Sequence, residues 1–188
     1  IGGTGFIGHH LVKKAKFLGW DVSSLSLNKP QKNRIIKGVN YITSEYFDEN
    51  LVKKVFSTSY QYVVNLSGYI DHSNFSQGGK ETIISHFDNV RKIVEFIDRD
   101  SLKCFINIGS SDEYGQNLSP QVETQREYPI SPYSFGKTAT THFLEMINRT
   151  ENFPSCTLRL FLVYGPGQNE ERFIPQIIKG CLLNENIK

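Results

Sequence analysis

The chain has 188 residues, enough for one full-sized domain and too few for two comfortable ones. Hydrophobic residues make up 38% and charged residues 21%, the proportions of a soluble globular protein and not of a disordered or fibrous one. The net charge is only +2, and Lys and Arg are scattered rather than blocked, which argues against nucleic acid as a partner. No apolar run approaches a membrane span.

The chain opens on glycines, with only Ile1 before them. A strand needs about five residues, so the first strand is expected to be nearly absent and the chain to be a fragment of a longer protein. Past the glycines, Ile7, Leu11, Val12, Ala15 and Leu18 recur at helical spacing and predict a helix over residues 6–17, ended by Gly19. Strands are expected at residues 21–27 and 39–42. Asp48 then caps a helix carrying Leu51, Val52, Val55 and Phe56.

Residues 61–67 form an apolar strand ending at Gly68. After a loop rich in Ser, Asn and Gly, one long helix is expected over residues 79–99. Residues 103–109 read as a fifth strand, and the stretch to Pro132, with Pro120 and Pro129, as a surface excursion. A helix over 133–148 and a strand over 155–163 complete the pattern. Strands alternate with helices and are continuously apolar. That predicts a doubly wound α/β fold, a parallel sheet covered by helices on both faces.

Gly2, Gly5 and Gly8 are spaced G-x-x-G-x-x-G where a strand ends and a helix starts. Gly2 permits the tight turn, Gly5 lets backbone approach a pyrophosphate, and Gly8 lets helix and strand pack closely. The helix N-terminus around Phe6 and Ile7 offers free N–H groups and the positive end of its dipole. The loop therefore predicts a dinucleotide, NAD(P), as cofactor. An acid normally ends the second strand and holds the adenosine ribose about 20 residues further on. Here the segment is Ser26-Leu27-Asn28-Lys29, with no acid. An Asp or Glu would repel a 2′-phosphate and these residues would accept one, so Asn28 and its neighbours lean to NADP over NAD.

Tyr133 and Lys137 form a Y-x-x-x-K pair at the start of a helix, on one face. Hydride transfer at a sugar carbon needs a proton moved at that carbon's oxygen. A phenol with a pKa near 10 is a poor base, and a neighbouring ammonium is expected to favour the phenolate. Lys137 can also hold ribose hydroxyls, and a serine hydroxyl can hold the substrate oxygen. Both elements open at the carboxyl edge of the sheet, where ligands of this architecture bind.

The wording of these motifs resembles the extended short-chain dehydrogenases/reductases, the NAD-dependent epimerase/dehydratase group. The resemblance rests on Gly2-Gly3-Thr4-Gly5-Phe6-Ile7-Gly8, on the Ser, Tyr and Lys set, and on three further stretches. Leu66-Ser67-Gly68 looks like the strand end passing under the nicotinamide. Glu45-Tyr46 looks like the segment beside the adenine. Residues 159–166 look like the family's RxxNxYGP turn. The resemblance implies a strand order of 3-2-1-4-5-6, a separate C-terminal substrate lobe lacking here, a nucleotide-sugar substrate and a homodimeric full-length protein.

Three departures stand out. Leu162 replaces an Asn that commonly contacts sugar-nucleotide phosphates, and His86 stands where a structural Asn is usual. The catalytic serine has two registers. Counting back from Tyr114-Gly115 gives Ser110, with Ser111 and Asp112 beside the substrate. Sliding by one gives Ser111-Asp112-Glu113, which resembles the acids of sugar-nucleotide 4,6-dehydratases. Ser110 is preferred because it needs no deletion.

The reading is one NAD(P)-binding domain over residues 1–188 of a 4-keto reductase or 4-epimerase, with Ser110, Tyr133 and Lys137 catalytic. A dehydratase or a non-catalytic NAD(P) sensor are the alternatives. No metal motif is present, and Cys104, Cys156 and Cys181 are odd in number. They are expected to be reduced in a cytoplasmic protein, with Cys104 and Cys156 in its core.

Overall fold

The glycine turn runs directly into α1 (Phe6–Phe17), whose bounds match those predicted from spacing. The computed structural model describes residues 1–44 and 48–184. In α1 only Gly8 and Val12 are buried. Leu11 and Leu18, expected inward, are exposed. The backbone at Gly8 itself lies against the loop, so α1 seats on β1 (Val22–Ser26) along a narrow line.

β1 pairs in parallel with β2 (Val39–Thr43). β3 (Tyr62–Asn65), β4 (Cys104–Ser110) and β5 (Ser155–Leu160) form a second parallel ladder in that order. The backbone of Ile1 and Gly2 joins the two. Ile1 N donates to the Val64 carbonyl at 2.7 Å, Leu66 N to the Ile1 carbonyl at 3.0 Å, and Gly2 N to the Leu25 carbonyl at 2.7 Å. Counting Ile1–Gly2 as the first strand position gives the order 3-2-1-4-5-6. Beside Ile1 the ladders face each other across a groove lined by Leu25, Ile42, Val55, Phe56 and Val63.

Asp48 caps α2 (Glu49–Phe56), its carboxylate accepting from Asn50 N and Leu51 N. The long helix expected over 79–99 is not one helix. It divides into α3 (Gly79–Ile83), a π-turn (Ile84–Asp88) and α4 (Asn89–Phe96), and ends at an extended Ile97. A π-turn breaks the i→i−4 ladder, and one carbonyl there, that of His86, lies 2.8 Å from the Thr140 hydroxyl of α5 (Pro132–Glu151). Gly136 makes this approach possible, since a Cβ there would stand 3.1 Å from that of His86.

The core lies between α2, α4 and α5 and the face of β3 and β4, around Phe56, Val63, Val90, Ile93, Phe105, Leu144 and Phe153. Phe105 is wholly enclosed, a burial contributing roughly 1.5–3 kcal/mol. A last helix, α6 (Phe173–Leu183), follows the Gly165–Gly167 turn. The cysteines are free, but Cys156 is exposed and Cys104 only half-buried. β5 ends the ladder and turns alternate side chains outward, so Cys156 is not a core residue. Among the described residues no helix is long and apolar enough to cross a membrane.

Candidate active site

Three chain segments meet at the carboxyl end of the parallel strands: the glycine loop, the end of β3, and β4 with the start of α5. Gly2 has φ +77°, and a Cβ there would stand 3.0 Å from the backbone of Leu66. A Cβ at Gly8 would stand 2.2 Å from the Gly2 carbonyl oxygen. Both glycines are required by the protein's own packing. Gly5 is different: it is exposed, has an ordinary φ of −70°, and its Cβ would meet only the Gly2 carbonyl at 3.3 Å. The open space over Gly5 faces the first turn of α1, whose N–H groups carry no side-chain cap and no acidic neighbour. That cradle fits a pyrophosphate.

Phe6 and Ile7 are half-buried at the same turn, and Leu66 and Ser67 lie half-buried beside it. Gly68 is open above and closed below, where the His86 ring lies against it. Ser26, at the end of β1, is buried under the loop and accepts from Thr4 N at 3.4 Å. Asn28 stands exposed just beyond it. Glu45 and Tyr46 lie outside the described residues.

Ser110 ends β4 and caps the following 3₁₀ turn (Ser111–Glu113) in a reciprocal arrangement. Its hydroxyl accepts from Asp112 N at 3.2 Å, and Glu113 accepts from Ser110 N at 2.9 Å. Glu113 is completely buried and also receives Thr141 Oγ1 and Arg159 Nε, each at 2.9 Å. Arg159 reaches on to Glu127 and lies over the Tyr114 ring. Burial pulls the Arg159 guanidinium down, but the Tyr114 hydroxyl and the two carboxylates outweigh it and fix the charge. Glu113, the residue that the slid register would offer to substrate, is thus sealed in an ion pair.

Tyr133 and Lys137 occupy the first turns of α5, which Ser131 and Ser134 cap reciprocally with Pro132 at the first position. Burial, the largest effect, pushes the Tyr133 pKa up, and the nearby Ser110 hydroxyl acts the other way. The nearby Asp112 and Glu113 carboxylates act in the same direction as burial. Lys137 lies one turn further along α5. Its Nζ donates to the Ile108 carbonyl at 2.8 Å, under the sheet edge, and burial lowers its pKa to about 8. Two N–H protons remain on that ammonium for other acceptors.

The Tyr133 ring is flanked by two imidazoles that the sequence did not single out as functional. His86 packs edge-on at 5.1 Å and His72 at 5.4 Å. His86 is buried, donates from Nε2 to the Tyr69 carbonyl at 2.9 Å, and has its pKa lowered to about 4 by burial and then by Lys137. It is neutral near pH 7. His72 is exposed at the mouth, with Nε2 3.8 Å from Asp112 Oδ2. Ser111 and Asp112 are half-buried at that mouth. Leu162 is 70% exposed. No cluster of potential metal ligands occurs among the described residues.

A parallel doubly wound sheet with a glycine-rich phosphate cradle and a Ser, Tyr and Lys set at its carboxyl edge defines a dinucleotide-binding domain of the short-chain dehydrogenase kind. The model of the NAD dependent epimerase/dehydratase family matches residues 1–188, and the chain belongs to that family. It is 25% identical over 208 residues to a dTDP-D-glucose 4,6-dehydratase of Dictyostelium discoideum, covering 98% of this chain and 48% of that protein. It is 27% identical over 179 residues to an ADP-L-glycero-D-manno-heptose-6-epimerase of Brachyspira hyodysenteriae, covering 90% and 55%. The chain thus spans about half the length of these relatives.

Among solved structures, a UDP-glucose 4-epimerase of Thermotoga maritima with UDP-glucose superposes with a TM-score of 0.84 at 24% identity, covering 99% of this chain and 63% of that one. The Bordetella bronchiseptica enzyme WbmG, in complex with NAD and UDP, superposes with a TM-score of 0.83 at 21% identity, covering 99% and 59%. These likenesses carry the fold.

Proposed function

We propose that the chain is the NAD(P)-binding part of an enzyme that performs 4-keto reduction or 4-epimerisation on a nucleotide-linked hexose. The observation that carries this reading is the meeting of Ser110, Tyr133 and Lys137 at one sheet edge, opposite an open glycine cradle. Gly5 and the first turn of α1 would hold the pyrophosphate, Leu66 to Gly68 would line the nicotinamide side, and Lys137 would hold ribose hydroxyls. Bound nicotinamide supplies the hydride acceptor and donor.

Tyr133 moves the proton at the sugar oxygen, and Ser110, beside it at the sheet edge, orients that oxygen. Family membership and relatives named as epimerases and dehydratases support an enzyme over a sensor. Burial of Glu113 against Arg159 favours the Ser110 register over that of a dehydratase. The absence of an acid at 26–29, with Asn28 and Lys29 exposed, favours NADP over NAD. Calorimetry with each cofactor tests this: tighter NAD binding would reverse the preference. Turnover of the full-length protein on a panel of nucleotide sugars and their 4-keto forms, followed by nicotinamide absorbance for reduction and by product chromatography for epimerisation, tests the whole reading. Binding of NAD(P) with no turnover on any of them would move it to a sensor.

A further inference from the structure

We propose that His72, beside Asp112, is a second acid–base group of this site, acting on a C–H bond next to the carbonyl of a keto sugar. The proposal rests on the nucleotide-sugar reading above and deepens it. Ser110, Tyr133 and Lys137 account for proton transfer at one oxygen, and leave a titratable pair beside them without a role.

The position of His72 is set by its loop. The loop is tied down on both sides: the Tyr69 carbonyl accepts from His86 Nε2 at 2.9 Å, and Asp71 Oδ1 accepts from Ser73 N at 2.8 Å. Gly79 closes the loop against α5, since a Cβ there would stand 2.5 Å from Pro132 and 2.9 Å from the Ser73 carbonyl oxygen. The result sets the His72 ring edge-on to Tyr133 with its Nε2 turned to Asp112.

The charged and titratable groups around it are Asp112 from the 3₁₀ turn, Tyr133 from α5, and Asp71 on its own loop, the last engaged with Ser73. His86, the other imidazole on Tyr133, is buried and committed to Tyr69. His72 is therefore the imidazole that can meet substrate. Imidazole is the side chain most often used to take up or give a proton in catalysis.

The carbons flanking a sugar ketone carry acidic hydrogens. In the proposed step the C–H bond breaks, its proton passes to the His72 imidazole, and its electron pair forms the C=C bond of an enolate. The enolate oxygen takes the charge, facing the Ser110 and Tyr133 hydroxyls. Return of the proton from His72 restores the ketone. No electrons are gained or lost.

The test places the full-length protein with a nucleoside-diphosphate 4-ketohexose in D₂O and reads deuterium at the flanking carbons by mass spectrometry. Reduction of the same ketone by NADPH is read in parallel. His72→Gln should lower exchange at least about 100-fold while reduction falls far less, and Asp112→Asn should move the same ratio in the same direction. Exchange at the parent rate in His72→Gln overturns the assignment, as does an equal fall in both readings. A parent protein that reduces the ketone without exchange also overturns it and leaves the proposed function standing. A parent that neither reduces nor exchanges overturns both.

Discussion

Arg159 Nε donates to Glu113 Oε2 at 2.9 Å, both groups are almost entirely shut away from water, and the other oxygen of that carboxylate holds Ser110 N at 2.9 Å. A serine proposed to touch substrate is thus positioned by a buried charge pair. Removing one partner of such a pair leaves an uncompensated charge and costs roughly 3–5 kcal/mol. Arg159→Met should therefore lower the urea midpoint strongly. Replacing both partners, Arg159→Met with Glu113→Leu, should recover part of the stability but not the turnover, because the Ser110 N–H and the Thr141 hydroxyl then lose their acceptor. Full recovery of turnover in the double variant would dissociate the pair from Ser110.

Tyr133→Phe keeps the ring between its two imidazoles and removes only the hydroxyl. Acid–base participation is typically worth 10²–10⁴-fold, roughly 3–5 kcal/mol of barrier. Turnover should fall by that factor with cofactor affinity nearly unchanged. Lys137→Met should lose both. Steady-state kinetics alongside calorimetry separate the two patterns.

The glycines of the loop should fail differently. Gly8→Ala places a Cβ 2.2 Å from the Gly2 carbonyl oxygen and should destabilise the loop and α1 together, read as a lower thermal midpoint. Gly5→Ala meets only one atom, at 3.3 Å, and should fold normally while losing NAD(P) affinity. Equal cofactor binding by Gly5→Ala and the parent would remove the cradle assignment.

His86 carries a pH signature. Its ordinary pKa is about 6.5 and burial lowers it to about 4 in the folded protein. Between those values the unfolded chain binds the proton and the folded one does not, so stability falls as pH drops through that window and levels off below it. The loss attributable to this residue is up to about 3 kcal/mol. Urea midpoints measured from pH 7 to 4 should show the slope, and His86→Asn should flatten it.

Much of this was legible in the chain. The bounds of α1 follow from apolar spacing and Gly19, and the site edge follows from the glycine loop and the Tyr133–Lys137 spacing. The π-turn was not legible, because Ile83 to Ile97 keep helical periodicity straight through it and only α5, pressing Gly136 and Thr140 against His86, reveals the break. α6 was missed because it starts without a side-chain cap after a Gly-Pro-Gly turn. His72 was missed because a loop histidine has no period and its partner Asp112 is distant in sequence. The resting place of Lys137 on the Ile108 carbonyl is likewise a tertiary fact.

The π-turn at Ile84–Asp88 fixes a phase between two stretches of helix, with α3 packed on α5 and α4 packed on α2. Each residue of a helix advances the chain by about 100°. A one-residue deletion within the turn would restore ordinary helical bonding there, yet rotate everything before it by that angle relative to everything after. Thr82 and the loop bearing His72 would swing off the Tyr133 face while the core around Val90 and Ile93 stayed seated. The segment should therefore tolerate almost no change of length.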